Sequence, residues 1–422
     1  MILSQIYSFY YCKIFFMNKI RKETNVMNSI KKIIKSDLAT GVLLMCATMA
    51  AVFMANSHLQ ETYHYLLSGV NLIGKFNLHM IINDFLMAIF FLVVGLEIKN
   101  EILYGNLSSF KKASFPVIAA LGGVIVPAII FMLININTEF IHGVGVPIST
   151  DIAFAIAIFM IFRKKLNSTL KIFLLSLAVV DDLISIFAIG VLYSSHIDYS
   201  FIILAVGIVV LLFMLNKVFK VRKVQPYMIL GLIVWYFVYK SGVHATISGV
   251  VLAFTIPTKS KEKESESIAN KIEHVLSPIS NLIILPLFAF ANTGINFNVN
   301  INHNKVGTLI NGIILGLVIG KPLGIMLFTS IASKLNITEK PKGVSWASLF
   351  KVSMLAGIGF TMSIFVSELA FSYNHNLINI AKISILMASI ITLFSSYLVI
   401  IVLPQLKNKC GICIKFKKLL YH

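Results

Sequence analysis

The chain has little charge for its length, and this scarcity excludes an ordinary soluble domain. Of its 422 residues only 13% are Asp, Glu, Lys or Arg, while 58% are hydrophobic. About a quarter of a typical soluble domain is charged. Apolar stretches of about 20 residues recur along the chain, and each is long enough to cross a bilayer as a helix. Because these stretches are continuous rather than alternating, they exclude a β-barrel. We predict an all-α polytopic membrane protein.

Cysteine is also scarce, and its placement excludes a disulfide-rich or zinc-binding domain. Of the four cysteines, only Cys410 and Cys413 are close in sequence, as a CxxC in the basic C-terminal segment. No second pair or nearby histidine completes a zinc site. We interpret this pair as incidental and expect no cofactor.

Hydropathy divides the chain into an extension, a transporter domain and a tail. Residues 1–26 contain no long apolar run with a cleavage site, so we predict a poorly ordered cytoplasmic extension rather than a signal peptide. Residues 27–404 form the twelve-helix domain, and 405–422 form a basic cytoplasmic tail. The predicted spans are 37–55, 80–97, 114–134, 139–162, 170–194, 200–215, 226–239, 243–257, 278–295, 308–332, 346–370 and 377–403.

The net charge of +19 is explained by topology rather than by nucleic-acid binding. Among the 36 Lys and Arg, Lys75, Lys240 and Lys305 fall on one side of the predicted spans, and Lys321 and Lys382 lie within spans. The remaining 31 share the other side with both termini. Basic residues accumulate in cytoplasmic loops, so we predict that both termini are cytoplasmic. We expect no nucleic-acid partner.

Four ionisable residues lie near the middle of predicted spans, namely Asp151, Asp181, Asp182 and Lys321. An ionised side chain near the bilayer centre costs about 2.5–3.5 kcal/mol even on lenient insertion scales. Such residues by default indicate an ion or proton pathway. The alternative is that they form structural ion pairs only.

The fourth and eleventh spans are poor continuous helices. Gly143, Gly145 and Pro147 precede Asp151 in the fourth, and a GIG sequence falls in the middle of the eleventh. Unwound backbone within a membrane is tolerated only where it faces protein or a cavity. A pair of interrupted helices is the sequence pointer to a transporter site near the bilayer midplane.

The four residues suggest a site for a hard cation. Asp151 with Thr150 offers a carboxylate and a hydroxyl, which suit Na⁺ or Li⁺ better than zinc or copper; Thr150 is equally compatible with a helix cap. Asp181 and Asp182 are about 100° apart around a helix, so they face different partners. In one arrangement of these two aspartates, one carboxylate faces an ion cavity and the other faces a cation. Lys321 is then either a structural counter-ion or a proton carrier.

Three further residues are open to two interpretations. Glu97 and Glu273 lie at predicted cytoplasmic helix ends, where they form either an acidic, proton-sensing funnel or merely solvated ends. His244 opens the eighth span on the outer side, and its spacing alone favours a structural histidine. The outer segment 58–79, with Ser68 and Gly69 in its middle, forms either a two-stranded hairpin or an irregular loop.

Seven ordered segments closely resemble the NhaA-type Na⁺/H⁺ antiporters of bacteria, over residues 27 to about 404. They are 83–101 (NDFLMAIFFLVVGLEIKNE), 149–155 (STDIAFA), 171–183 (KIFLLSLAVVDDL), 240–249 (KSGVHATISG), 284–294 (ILPLFAFANTG), 320–324 (GKPLG) and 357–365 (GIGFTMSIF). The resemblance implies inverted repeats, with the fourth and eleventh helices unwound and crossing. It implies an inner-membrane transporter, not an enzyme, that exchanges cytoplasmic Na⁺ or Li⁺ for a larger number of protons and is active at alkaline pH.

The resemblance also implies residue roles. Asp151, Asp182 and Thr150 would bind the ion, and Asp181 would pair with Lys321 and take part in proton exchange. Glu97, Glu273 and His244 match positions tied to the pH response. The outer hairpin matches a dimer contact, which implies a homodimer in the lipid bilayer. The chain departs from the family's HVLHP segment at 274–278, where Ser277 replaces a histidine. This departure leaves the ion site intact but puts the pH set-point in doubt.

Three other functions are compatible with parts of the pattern. A cation channel would pass Na⁺ without moving protons. An intramembrane aspartyl protease needs two aspartates on different helices, which Asp151 and Asp182 provide, but the Gly-x-Gly-Asp segment of such enzymes is absent and Lys321 would have no role. A sodium-coupled solute symporter would need a larger pocket for an organic solute. The antiporter ranks above all three.

Overall fold

The computed structural model describes residues 37–73, 76–105, 107–194, 197–258, 267–297, 303–341 and 343–404. The predicted extension at 1–26, the tail at 405–422 and the Cys410/Cys413 pair lie outside the described residues. The predicted orientation of the termini therefore still depends on the charge distribution alone.

The described residues are mostly helical. We number the helices α1 (Asp37–Ala55), α2 (Gln60–His64), α3 (Leu78–Leu103), α4 (Phe110–Asn135), α5 (Ile152–Ile161), α6 (Ser168–Leu192), α7 (Tyr199–Lys217), α8 (Val224–Lys240), α9 (Ile247–Thr255), α10 (Ile268–Asn292), α11 (Val306–Lys334), α12 (Trp346–Leu355), α13 (Phe360–Ala370) and α14 (His375–Val402). Wider helical turns occur within four of these helices, at Ile81–Leu86, Ser280–Ile284, Gly316–Gly320 and Leu398–Val402.

The helices bear out a polytopic all-α membrane protein. Within the described ranges, eight helices are long and apolar enough to cross a membrane, and the bent pair α12 and α13 makes a ninth. Every one of the twelve predicted spans overlaps at least one helix. The predicted fourth and eighth spans contain only the short helices α5 and α9, and α8 has 17 residues. The count of twelve therefore remains a prediction.

A small hairpin follows α2, as one of the two interpretations of this segment predicts. Strands β1 (Asn71–Ile73) and β2 (Phe76–Asn77) pair antiparallel. Ser68 and Gly69 do not form its turn, because they belong to the helical turn Tyr65–Gly69 that precedes the first strand.

Both predicted helix breaks are present. In the fourth span, a tight helical turn at Glu139–Gly145 is followed by non-helical backbone up to Asp151, where α5 begins. In the eleventh, α12 and α13 meet at an angle of 51° with residues 356–359 between them. Phe360, the first residue of α13, has a φ of 25°, a conformation that a non-glycine residue adopts only under constraint from its surroundings.

Close backbone contacts hold the bundle together. A Cβ built on Gly324 of α11 would lie 2.0 Å from the carbonyl oxygen of Gly122 in α4, and the reverse distance is 2.2 Å. A Cβ on Gly249 of α9 would likewise lie 2.0 Å from the carbonyl oxygen of Ala88 in α3. Small residues allow such approach, which in a membrane replaces the hydrophobic effect as the driving force for packing. The α4–α11 crossing positions Lys321 one turn before Gly324, facing the helix breaks.

Candidate ion-binding site

The two helix breaks contact each other directly. The backbone amide of Asp151 donates to the carbonyl oxygen of Ile358 at 2.8 Å. The hydroxyl of Ser363 lies 3.4 Å from the carbonyl oxygen of Ser149. Each break thus supplies hydrogen-bond partners for backbone groups that the other break leaves unpaired. This explains how unwound chain is tolerated in an apolar bundle.

Asp151 joins the start of α5 to the start of α13. One carboxylate oxygen accepts from the backbone amide of Phe154 at 2.9 Å and caps α5. The other accepts from the backbone amide of Thr361 at 3.2 Å and from the Thr361 hydroxyl. A carboxylate at two helix N-termini is stabilised by their partial positive charge. Asp151 itself is buried, with only 2% of its surface exposed.

Asp181 and Lys321 form a buried charge pair. The Lys321 ammonium nitrogen lies 2.7 Å from Asp181 Oδ2, and it also contacts the carbonyl oxygen of Ile148 in the first break. The Thr150 hydroxyl lies 2.6 Å from the same Asp181 oxygen and 2.9 Å from the Ala356 carbonyl oxygen. A hydroxyl has one proton to donate, so these two acceptors share it.

Asp182 faces the other way, into a cavity of about 260 Å³ that we call the central cavity. Asp151, Glu97 and Thr361 also line it, together with Thr40 and a short polar face of α10. That face consists of Ser277, Ser280 and Asn281. Neither Asp181 nor Lys321 is among the lining residues. The two neighbouring aspartates thus face different partners, as their angular spacing requires. Asp182 lines the cavity, and Asp181 contacts the Lys321 ammonium group.

The lining of the central cavity offers oxygen ligands for a small cation. Its described part includes three carboxyl groups and no Lys or Arg. Asp182 Oδ1 and Ser280 Oγ are buried and have no hydrogen-bond partner among the described residues. Buried polar atoms are normally paired, so such oxygens are free to bind a hard cation. The described part of the chain contains no group of three or more His, Cys, Asp or Glu arranged around one metal position.

The predicted pH-response residues do not lie together. Glu97 lines the central cavity. Glu273 accepts a hydrogen bond of 2.5 Å from the amide of Asn100, one helical turn beyond Glu97 on α3. His244 lies between α8 and α9, and its Nε2 is 3.0 Å from the carbonyl oxygen of Tyr193. Only the two glutamates therefore lie near each other, and both interpretations of His244 remain open.

Sequence reasoning misses several residues of the site. Thr361 holds Asp151 in place and lines the cavity, whereas Thr150 is turned towards Asp181. The helix break at 357–359 is the signal that points to Thr361, because the residue after a break offers a free amide. Nothing in the sequence marks Ser280 or Asn281, because their contribution arises from how α10 packs beside the cavity.

Comparisons with known proteins agree over most of the chain. A family described as Na⁺/H⁺ antiporter 1 matches residues 31–400. The chain is 42% identical to the Na⁺/H⁺ antiporter NhaA of Helicobacter pylori strain P12, over 89% of this chain and 96% of that protein. It is 46% identical to Na⁺/H⁺ antiporter NhaA 2 of Aliarcobacter butzleri, over 87% and 95%. The NhaA of Pelagibacter ubique is 41% identical, over 89% and 98%.

Proposed function

Because the chain belongs to the Na⁺/H⁺ antiporter 1 family, we propose that it exchanges cytoplasmic Na⁺ or Li⁺ for external protons across the bacterial inner membrane. The family match extends from residue 31 to 400, so it includes every helix described above except the last two residues of α14. The relatives are named as antiporters, so we propose a transporter rather than an enzyme.

One observation carries the proposal, namely the central cavity with Asp182 and Asp151 in its wall. We assign Na⁺ to the space between these two carboxylates, with Thr361 and Ser280 as further oxygen ligands. Thr150 takes part indirectly, because its hydroxyl orients Asp181 rather than facing the cavity. Asp181 and Lys321 form the counter-charge and exchange protons.

Competition between Na⁺ and protons couples the two fluxes. A carboxylate that has taken up a proton loses the charge that holds Na⁺, so a site made of two carboxylates releases one ion as it binds the other. Protons entering from outside displace Na⁺, and Na⁺ entering from the cytoplasm displaces protons. Lowering the pH on the cytoplasmic side should therefore raise the apparent KM for Na⁺ and suppress exchange, which is the basis for activity at alkaline pH.

Alternating access supplies the conformational step. We propose twelve spans arranged as inverted repeats, with the two broken helices crossing at the midplane and both termini in the cytoplasm. Glu97 and Glu273 then lie at the cytoplasmic mouth of the cavity and adjust its response to pH, and His244 lies at the opposite end. The outer hairpin of β1 and β2 provides the contact for a homodimer in the bilayer. No cofactor is required, since the proton gradient drives the exchange.

The Asp182→Asn variant tests the assignment. Everted membrane vesicles with an acidic interior are loaded with a pH-sensitive dye, and Na⁺ or Li⁺ is added while the fluorescence is recorded. We expect the parent to dissipate the proton gradient on cation addition. The variant should lose at least about 100-fold in rate, because an amide can neither exchange a proton nor neutralise Na⁺.

The matched control is Asp198→Asn, which removes the same charge from the exposed residue that caps α7. It should transport like the parent. Normal exchange by Asp182→Asn would refute the site. Na⁺ flux by the parent without any change in the proton gradient would instead indicate a channel.

A further inference from the structure

A second buried group of charged and amide side chains lies away from the central cavity. The Glu368 carboxylate on α13 lies 2.5 Å from the Lys382 ammonium nitrogen on α14. Its other oxygen lies 4.0 Å from Nε2 of His79, near the start of α3. The side chains of Glu368 and Lys382 are only 16% and 8% exposed. Because this ion pair is shielded from water, removal of one partner would leave the other charge buried and uncompensated.

Two asparagines extend this group to a fourth helix. The amide of Asn83 lies 3.4 Å from Nε2 of His79 and donates to Asn292 Oδ1 at 3.0 Å. Asn292, in the last turn of α10, returns a hydrogen bond of 2.8 Å to Asn83 Oδ1. We call His79, Asn83, Asn292, Glu368 and Lys382 the outer polar cluster. It ties together α3, α10, α13 and α14.

The outer polar cluster is separated along the same helices from Glu97 and Ser280, which line the central cavity. On α3, His79 precedes Glu97 by 18 residues, which is about 27 Å at 1.5 Å per residue. On α10, Asn292 follows the cavity residue Ser280 by 12 residues, or about 18 Å. The topology that makes the termini cytoplasmic puts the cluster on the external side.

Helix α13 connects the ion site to this cluster. Thr361, in its first turn, binds Asp151, and Glu368 lies seven residues further, about 10 Å along the same short helix. A helix of 11 residues moves as one piece. Any motion of α13 that changes the surroundings of Asp151 therefore also acts on the contacts of Glu368.

We propose that the outer polar cluster is the external gate of the transporter, closed in this structure, and that Glu368 is its central positioning residue. The proposal rests on the proposed function, since a transporter that works by alternating access needs its external end to open while the cytoplasmic end closes. Breaking the Glu368 contacts releases α13 from α14 and α3, and so favours the state in which the site faces outward. A gate of this kind changes the populations of two states without touching the ion.

Labelling from the two sides of the membrane tests the gate. All four native cysteines are replaced by serine, and one reporter cysteine is introduced by Thr40→Cys, in the central cavity, or by Ser367→Cys, buried next to Glu368. A membrane-impermeant maleimide is added to everted vesicles for the first reporter and to intact cells for the second. In the Glu368→Gln background we expect labelling at position 367 to rise, and labelling at position 40 to fall, each by about fivefold.

A rise in labelling at one position together with a fall at the other distinguishes a gate from loosened packing, because loosened packing would raise labelling at both positions. Glu368→Gln leaves Lys382 buried without a counter-charge, so the double variant Glu368→Gln/Lys382→Gln is measured as well and should show the same pair of changes. The control is Glu61→Gln, which removes an exposed acid from α2 on the same side and should change neither rate.

Each outcome has one meaning. If the parent exchanges Na⁺ for protons and both Glu368 variants label like the parent, the gate is wrong and the proposed function stands. If labelling rises at both positions, the cluster is structural and the gate is again wrong. If the parent moves no Na⁺ while the labelling shifts in opposite directions, the proposed function fails but the cluster still controls access.

Discussion

Asp181 and Lys321 lie 2.7 Å apart, and each side chain is only 1% exposed. Removing two charges from water is costly, and their mutual attraction offsets that cost only while both are present and well placed. The pair is also tied to both helix breaks. Lys321 contacts the Ile148 carbonyl of the first break, and the Thr150 hydroxyl that lies next to Asp181 is also 2.9 Å from the Ala356 carbonyl oxygen of the second. Loss of the pair should therefore affect stability as well as transport.

The Lys321→Ala variant should be less stable than the parent by about 3–5 kcal/mol, because Asp181 is left buried without a counter-charge. Thermal unfolding of the purified protein in detergent, followed by tryptophan fluorescence or by loss of soluble protein on heating, measures the change. The double variant Asp181→Asn/Lys321→Met is the control. It removes both charges with little change in volume and should recover most of the loss. A Tm for Lys321→Ala equal to that of the parent would contradict the pairing.

Several residues of the site are identifiable from the sequence because a charge in an apolar run has no ordinary explanation. The cost of burying a charge identifies Asp151, Asp181, Asp182 and Lys321. Helix geometry predicts that the two adjacent aspartates face different directions. The burial cost does not identify Thr361 or Ser280, since hydroxyls are common in membrane helices and carry no energetic signal. It also gives no role to Glu368, whose partners are Lys382 on the next helix and His79, which is far away in the sequence.

At the scale of elements, the helix crossings determine where the charged residues meet. Gly122 and Gly324 bring the backbones of α4 and α11 together, and a Cβ at either position would overlap the carbonyl of the other helix. Backbone atoms cannot move aside as a flexible side chain can. Lys321 lies one helical turn from this crossing, so the distance between the two helices also determines how far the lysine reaches towards Asp181.

Gly324→Ala should reduce both stability and exchange, because the added methyl group separates α4 from α11. Overpacking of this kind typically costs about 1–3 kcal/mol. The control is Gly207→Ala in α7, where nothing lies within 4 Å of the new Cβ and alanine favours the helix. The Tm of both variants in detergent and their exchange rates in vesicles are compared. Equal behaviour of the two alanine variants would show that the crossing tolerates a wider spacing.

Both interrupted helices were predictable because glycine and proline weaken a helix wherever they occur. Between α2 and α3 the sequence leaves a hairpin and an irregular loop equally open, and the structure contains the hairpin, which follows the helical turn that includes Ser68 and Gly69. The positions of α5 and α9 were predictable, but their shortness was not. Whether a helix of 10 or 9 residues can complete a membrane span depends on the length of unwound chain next to it, and only the packed structure specifies that length.

At the scale of the whole molecule, the ratio of protons to Na⁺ ions determines how the membrane potential affects the rate of transport. If more protons enter than Na⁺ ions leave, each cycle carries net positive charge inward, and a potential of 100 mV contributes about 2.3 kcal/mol per charge. Three carboxylates in one cavity provide enough proton-binding groups for such an excess.

Electrogenic exchange predicts that an inside-negative potential accelerates Na⁺ extrusion. Purified protein is reconstituted into liposomes loaded with ²²Na⁺, and a potassium gradient with valinomycin sets the potential at equal pH on both sides. We expect extrusion to be faster with a negative interior than at zero potential, for molecules oriented with the cytoplasmic side inward. The Asp182→Asn protein provides the background flux. Rates independent of potential would indicate a neutral one-for-one exchange.

The amino-acid sequence by itself determined the class of this protein and the identity of its costly buried charges, and it predicts twelve spans with the basic loops in the cytoplasm. These are properties of composition and order along the chain, and the bilayer acts on them locally because each apolar run and each charge meets the same solvent. The tertiary structure alone decided which partner each charge has. Asp181 meets Lys321 across 140 residues, and Asp151 meets Thr361 across 210, because two helix breaks and a glycine crossing bring distant segments within hydrogen-bonding distance.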